Sequence, residues 1–310
     1  MNNSAVSTPL CSAEPRVKRV MLDLLIALAP ATVASIVFFG LKAAIMIAVC
    51  VVTSLLSEYF FNKLCKKPQT VGDLSAIVTG LLLALNLSTA VTLWQCVVGS
   101  VFAIVVIKCA FGGLGYNFAN PAITARVMLL IAFTEVAGGS MTAFAELESG
   151  ATPLAILGGA NGTPPSLIDM LIGNRGGAIG ETCAIALLLG GIYLLIRKVI
   201  SWHIPVIYIG SVFVLSFLLG GFNATFALQH VLAGGLILGA IFMATDPVTS
   251  PKKGLGKIIF ALGCGIMTVL IRFYGVYPEG VSFAILIMNI LTPYIDKIGA
   301  KKEDGGAQNE

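Results

Sequence analysis

Charge is what this chain has least of. Of its 310 residues only 11% are Asp, Glu, Lys or Arg, against about 25% in soluble proteins, whose surfaces face water. With 57% hydrophobic residues and a mean hydropathy of +0.95, most of it needs lipid as solvent. That excludes a cytosolic enzyme, a nucleic-acid-binding domain and a secreted disulfide scaffold. Histidine is as scarce: His203 and His230 are too few for a haem or zinc cage. The cysteines (Cys11, Cys50, Cys65, Cys96, Cys109, Cys183, Cys264) never form CxxC or a metal-ligand spacing. Neither an iron–sulfur cluster nor a haem is therefore expected on the chain itself. The net charge of +4 is small, and its distribution speaks of topology rather than of an anionic partner.

What the chain has is apolar runs. A membrane-crossing helix takes about 20 mostly apolar residues, with a range of roughly 17–25. Ten runs qualify or nearly do: Met21–Phe39, Ala43–Phe61, Leu74–Leu87, Val91–Cys109, Pro121–Val136, Gly180–Val199, Pro205–Leu219, Val231–Ala244, Ile258–Tyr274 and Val281–Ile295. The third, fifth, seventh and eighth are short, as half-membrane or broken helices are. With the N-terminus inside, 16 of the 19 Lys and Arg fall on the inner side, leaving Lys42, Arg175 and Arg272 outside. The positive-inside rule produces that bias, so both termini are expected in the cytoplasm. A cleaved signal peptide is the competing reading of the first run, which is long for one and lacks a cleavage site.

These features predict an all-α polytopic membrane protein of about ten transmembrane helices in two inverted five-helix repeats. The segments are a cytoplasmic N-terminal stretch (1–20), a first transmembrane half (21–136), an external loop (137–179), a second half (180–296) and a cytoplasmic tail (297–310). FGGLGYNFANPAITA and RFYGVYPEGVSFAIL occupy matching places in the two halves, and inverted repeats with interrupted helices place binding sites near their axis.

Four segments carry candidate chemistry. In the external loop, Glu148-Ser149-Gly150-Ala151-Thr152-Pro153 puts a hydroxyl among small residues, with Pro153 holding Thr152 extended; an ordinary turn reads the same way. In GGLGYNFANPA, Asn120 is placed to cap the helix that Pro121 opens. Asn117 and Asn120 together also offer amides suited to a uracil-like ring edge. In FMATDPVTSP, Asp246 either caps a short helix opened by Pro247 or handles a cation beside Thr245. In GNRGGAIGET, Glu181 is expected in a first helical turn, where the helix dipole favours it. Asp23, Glu58 and Asp73 lie in or beside apolar runs, and Glu58 and Asp246 are the candidates for an ion pathway.

Taken in order, SGAT, GGLGYNFANPA, GNRGGAIGET, FMATDPVTSP and YPEGVSFAILIMN resemble the RnfD/NqrB family, nearer its RnfD branch. Its members are membrane subunits of the Rnf complex and of the sodium-pumping NADH:quinone reductase. The resemblance implies a urea-transporter-like fold and FMN joined through its phosphate to Thr152, with Ser149, Gly150 and Ala151 as context. It also implies a second, non-covalent flavin such as riboflavin, for which Asn117 and Asn120, then Thr245 and Asp246, are the candidate contacts. Partners would be RnfA, RnfB, RnfC, RnfE and RnfG, a flavin transferase for maturation and membrane lipid, with no nucleic acid. The implied activity is electron relay between ferredoxin and NAD, coupled to sodium or proton movement in the bacterial inner membrane. A channel or secondary transporter for a small solute shares the topology but needs no flavin-acceptor threonine.

Overall fold

A computed structural model describes residues 14–133, 152–275 and 279–306. Among them every regular element is helical, and each of the ten apolar runs overlaps at least one helix. α1 (Glu14–Leu64) is two helices joined at Gly40, whose φ of 66° and ψ of −152° are open to a residue without a Cβ. The kink falls in the gap between the first two runs. α2 (Ser75–Leu85) follows a 3-10 turn, and α3 (Leu93–Val101) passes into a π-helical stretch, Phe102–Cys109. α4 (Pro121–Ala132) begins as the sequence requires. The Asn120 side chain accepts from the Ala122 and Ile123 N–H groups at 3.0 and 3.3 Å, ahead of a proline that has no N–H to satisfy.

Within the stretch read as an external loop lie two short helices, α5 (Pro153–Leu157) and α6 (Leu167–Ile172). The second half comprises α7 (Ala184–Ile196), α8 (His203–Leu219), α9 (Ala224–Leu232), α10 (Leu236–Leu238, continuing π-helically through Gly239–Met243), α11 (Gly254–Tyr274) and α12 (Val281–Gly306). The eighth run is therefore not one helix. It breaks between α9 and α10, around Gly234 at φ +68°, and bends by 65°.

Three helical stretches, Arg16–Leu64, Gly254–Tyr274 and Val281–Ile298, are long and apolar enough to cross a membrane, and the bent pair makes a fourth. The remaining apolar helices are shorter, which lipid tolerates where neighbouring protein satisfies the freed backbone groups. Large apolar side chains such as Val37, Leu41, Leu64 and Ile196 point outward, Leu64 at 85% exposure. So much outward apolar surface suits lipid rather than water. Inside, Leu28, Met46, Leu83, Ile123, Leu129 and Phe260 are fully buried. Polar side chains tie helices together: the Tyr193 hydroxyl donates to Asp23 at 3.0 Å and Arg197 pairs with the same carboxylate, joining α7 to α1. Asp23 is thus a buried helix-to-helix tie.

One expectation is overturned. α7 starts at Ala184, not Gly180, and Glu181 lies before it in a non-helical segment threaded through the interior. Tertiary bonds outweigh the helix dipole there. Gly180 N–H donates to Leu85 O at 2.8 Å, Ile179 N–H to Leu87 O at 2.9 Å, and Ser35 to Ile179 O at 2.8 Å. Arg175, buried, donates to Glu181 O at 2.7 Å and Thr182 O at 3.3 Å. A Cβ on residue 180 would overlap the Leu85 side chain. Gly180→Ala is therefore expected to cost about 1–3 kcal/mol by overpacking, read as a lower melting temperature in detergent. An unchanged melting temperature would show that this threading does not constrain the fold.

Candidate functional site

The four residues singled out on two distant segments meet at one cavity. Asn117, Asn120, Thr245 and Asp246 line it together with Ser75, Thr79 and Lys108, around a narrow space of about 50 Å³ that is partly open to the outside. Each is set by its own local structure. The glycines of GGLGY turn the chain at positive φ (Gly112, Gly113 and Gly115 at 118°, 97° and 98°) and bring Asn117 back over the end of α3. Its Oδ1 is buried and has no partner among the described residues. Asn120 is committed: its oxygen caps α4 and its nitrogen reaches Met243 O at 3.5 Å. Thr245 donates back to Ile241 O. Asp246 caps its own turn, accepting from Val248 N–H at 3.1 Å and the Thr249 hydroxyl at 3.2 Å. Of the four, only Asn117 presents an unspent polar atom.

The cavity wall also holds a group the sequence reading used only for topology. Lys108, 1% exposed, donates to Glu58 at 2.8 Å and to Ser75 Oγ at 2.5 Å. Thr70 donates to the same Glu58 oxygen at 2.6 Å, and Asn62 donates to Thr70 at 3.0 Å. Ser75 in turn donates to Asp73, which also accepts the Ser75 N–H. Glu58, ambiguous in sequence, is thus one half of a buried ion pair between α1 and α3.

Thr152 sits elsewhere, at the start of α5. Its backbone is extended (φ −61°, ψ 152°) as the following proline demands, and its Oγ1 accepts from Ala155 N–H at 3.1 Å. The side chain is half-buried, whereas Leu154, two residues on, is buried against Gly234 at the α9–α10 break. Ser149, Gly150 and Ala151 lie outside the described residues.

Beside that break is a second polar cluster, missed in sequence. Arg272 donates to the carbonyls of His230, Ala233 and Glu279, the latter two at 3.1 and 3.2 Å. Arg126 bonds both Asn86 Oδ1 and the Glu279 carboxylate. Asn86, at the end of α2, also donates to Leu82 O and to the Met243 sulfur. Lys108, Arg126, Arg175 and Arg272 are therefore buried structural cations rather than markers of membrane side. Of the residues assigned outside, Lys42 alone remains exposed. The signal that would have found Lys108, Arg126 and Arg272 is the cost of any charge inside an apolar run; no such signal marks Arg175.

A family model described as the NQR2, RnfD, RnfE family matches residues 4–305. The chain belongs to this family. A relative from Acetobacterium woodii, the D subunit of its Na(+)-translocating ferredoxin:NAD(+) oxidoreductase complex, is 45% identical over 305 residues, covering 96% of this chain and 93% of its own. The D subunit of the proton-translocating ferredoxin:NAD(+) oxidoreductase complex of Clostridium ljungdahlii is 40% identical, with 94% and 92% covered. Its counterpart in the ion-translocating oxidoreductase complex of Stutzerimonas stutzeri is 37% identical, with 91% and 90% covered. These relatives are subunits of oxidoreductase translocases. Membership in the family and the outward apolar surface agree on a membrane protein built of helices.

Proposed function

We propose that this chain is the membrane subunit of a redox-driven ion pump. It carries FMN through a phosphoester to Thr152 and stands in the electron path between ferredoxin and NAD while sodium ions or protons cross. The observation that carries this reading is Thr152. It is a half-buried threonine fixed by Pro153 at the end of S-G-A-T, in a chain of the NQR2, RnfD, RnfE family. Among the described residues its hydroxyl proton is donated to no acceptor, so the oxygen's one described bond is the one it accepts from Ala155 N–H. FMN supplies one- and two-electron chemistry. The protein anchors it: α5 is capped by Thr152, and Leu154 is wedged at the helix break, which holds the attachment point against the bundle.

We assign a second, non-covalent flavin to the mouth of the first cavity, which at about 50 Å³ admits a ring edge rather than a whole flavin. Its walls are mostly apolar, Asn117 Oδ1 is free to accept from a ring N–H, and Lys108 brings a positive charge to the edge. Asn120, Thr245 and Asp246 shape the wall rather than spend donors on a ligand. Asn117→Leu is accordingly expected to lose non-covalent flavin from the purified complex while keeping the covalent one. Equal extractable flavin in variant and wild type would remove Asn117 from the contact.

The ten helical runs are read as ten crossings with both ends cytoplasmic. The third run of each half is short or broken, and the two meet where Asn86 touches Met243, as an inverted repeat places them. The other Rnf subunits and a flavin transferase complete the working unit in the inner membrane. With Cys65 replaced by serine, Ala160→Cys should react with an impermeant thiol reagent on intact cells. Labelling only after lysis would reverse the orientation. The function itself is tested in inverted membrane vesicles. Deleting this chain should abolish both NAD reduction by reduced ferredoxin and the ion uptake that accompanies it, and normal rates of both would refute the reading.

A further inference from the structure

Between α7 and α8 the bundle is open to its surroundings. Both helices pack on the π-helical stretch Gly239–Met243, and between them runs a groove of about 450 Å³. Ile192 and Leu195 of α7 and Val206 and Ile209 of α8 form its sides, with Ile241 as its floor. Only apolar side chains and glycines line it. Ile192 and Val206 are more than half exposed whereas Ile241 is buried, so the groove faces outward. A Cβ on Gly210 would meet no atom within 4 Å, and the missing side chain adds to the groove's width. Along α8 the groove extends from Pro205 to Phe213, about 12 Å at the rise of an α-helix. One leaflet of a bilayer fills about 15 Å, half of the hydrocarbon core.

The end at Pro205 differs in character. The turn from α7 into α8 carries Arg197, Lys198 and Trp202, and His203 opens α8. Lys198 closes α7 at φ 56°, a conformation that glycine usually supplies at this place, and its side chain is exposed. Trp202 is half exposed and stacks on His203 at 4.2 Å. His203 Nδ1 is buried and has no partner among the described residues. Arg197 commits two nitrogens to Asp23, and the exposed Arg19 lies one helical turn before Asp23 on α1. A second carboxylate, Asp246, shares the wall of the first cavity with Val199 and Ile200 and is capped within its own turn. Arg19, Arg197 and Lys198 against Asp23 and Asp246 leave this end of the groove positive.

We propose that the groove binds one anionic phospholipid, an acyl chain lying between α7 and α8 and the phosphate held at Lys198 and His203. Clefts between membrane helices with basic residues at the membrane edge take anionic headgroups, and tryptophan settles at the same level. The apolar length matches one leaflet, and the positive turn supplies what a neutral lipid would not need. Ile200 lines both the groove and the first cavity, so the bound lipid steadies the turn that closes that cavity. The site goes beyond the function proposed above and does not depend on it.

The test uses the purified intact complex in mixed micelles with phosphatidylglycerol carrying a photoreactive diazirine on its acyl chain. Illumination should label this chain within residues 188–213, mapped by mass spectrometry of the digest. Unlabelled phosphatidylglycerol should compete for that labelling better than phosphatidylcholine does. Lys198→Gly suits φ 56° and removes the charge, so it should weaken competition by phosphatidylglycerol about fivefold, the usual worth of one basic residue near a lipid surface. Gly210→Phe places a ring in the open groove and should abolish the labelling, with melting temperature and subunit composition unchanged. Equal competition by the two lipids would reduce the groove to ordinary lipid contact and overturn the site. Labelling that survives Gly210→Phe overturns it as well. A wild-type complex that takes no label in this segment has the groove covered by a partner subunit, which also overturns the proposal.

Discussion

Lys108→Met is expected to destabilise the protein by about 3–5 kcal/mol, the usual cost of removing one partner of a buried ion pair. Lys108 and Glu58 are each 1% exposed, 2.8 Å apart, and join α3 to α1. Without the ammonium, the Glu58 carboxylate keeps only the Thr70 hydroxyl as donor, and its Oε2 already has no partner. The double variant Lys108→Met/Glu58→Leu should regain most of the loss, because two apolar groups need no compensation. Thermal unfolding in detergent reads all three proteins. A single variant as stable as wild type would show that the pair contributes nothing to holding α1 against α3.

Arg272→Ala is expected to be comparably severe, for a different reason. The guanidinium supplies donors to three carbonyls, two of them at the C-terminal end of α9, where the chain breaks. The last carbonyls of a helix have no partner within it. In lipid no water replaces the missing donor, and each buried orphan costs about 1–3 kcal/mol. Arg272→Lys should recover only part of the loss, since an ammonium cannot span the fork that the planar guanidinium covers. The expected signature is local: increased hydrogen exchange through residues 224–243, with α1 and α2 unaffected. Uniform destabilisation would assign Arg272 to general packing instead of the break.

How far the fold was legible in sequence follows from which forces act locally. Each of the ten apolar runs overlaps a helix, and the Gly40 kink lies where the sequence put a boundary, because hydropathy and glycine are properties of short segments. The Asn120–Pro121 cap was legible for the same reason, whereas Asp246 caps a turn and not the short helix that Pro247 was expected to open. Asn117 and Thr245 were grouped only through the family resemblance, and the cavity they share comes from segments more than 120 residues apart. The start of α7 was not, since Gly180 and Ile179 pair with the end of α2 and Glu181 belongs to a cluster assembled from four distant segments. Arg126–Glu279 and Lys108–Glu58 span 153 and 50 residues, and no local pattern announces such pairings. Counting Lys108, Arg126, Arg175 and Arg272 as side markers hid their structural role. Treated as charges inside apolar runs, as the acids were, Lys108, Arg126 and Arg272 would have been flagged; Arg175, in the loop before Gly180, would not.

The covalent flavin is the claim on which the functional reading turns. The most direct measurement is the intact mass and in-gel fluorescence of the denatured chain, co-produced with a flavin transferase, beside Thr152→Ala. The added mass of one FMN and flavin fluorescence in the wild type alone are the expected result. No added mass, with the transferase active on another acceptor, or flavin persisting in Thr152→Ala, would contradict it.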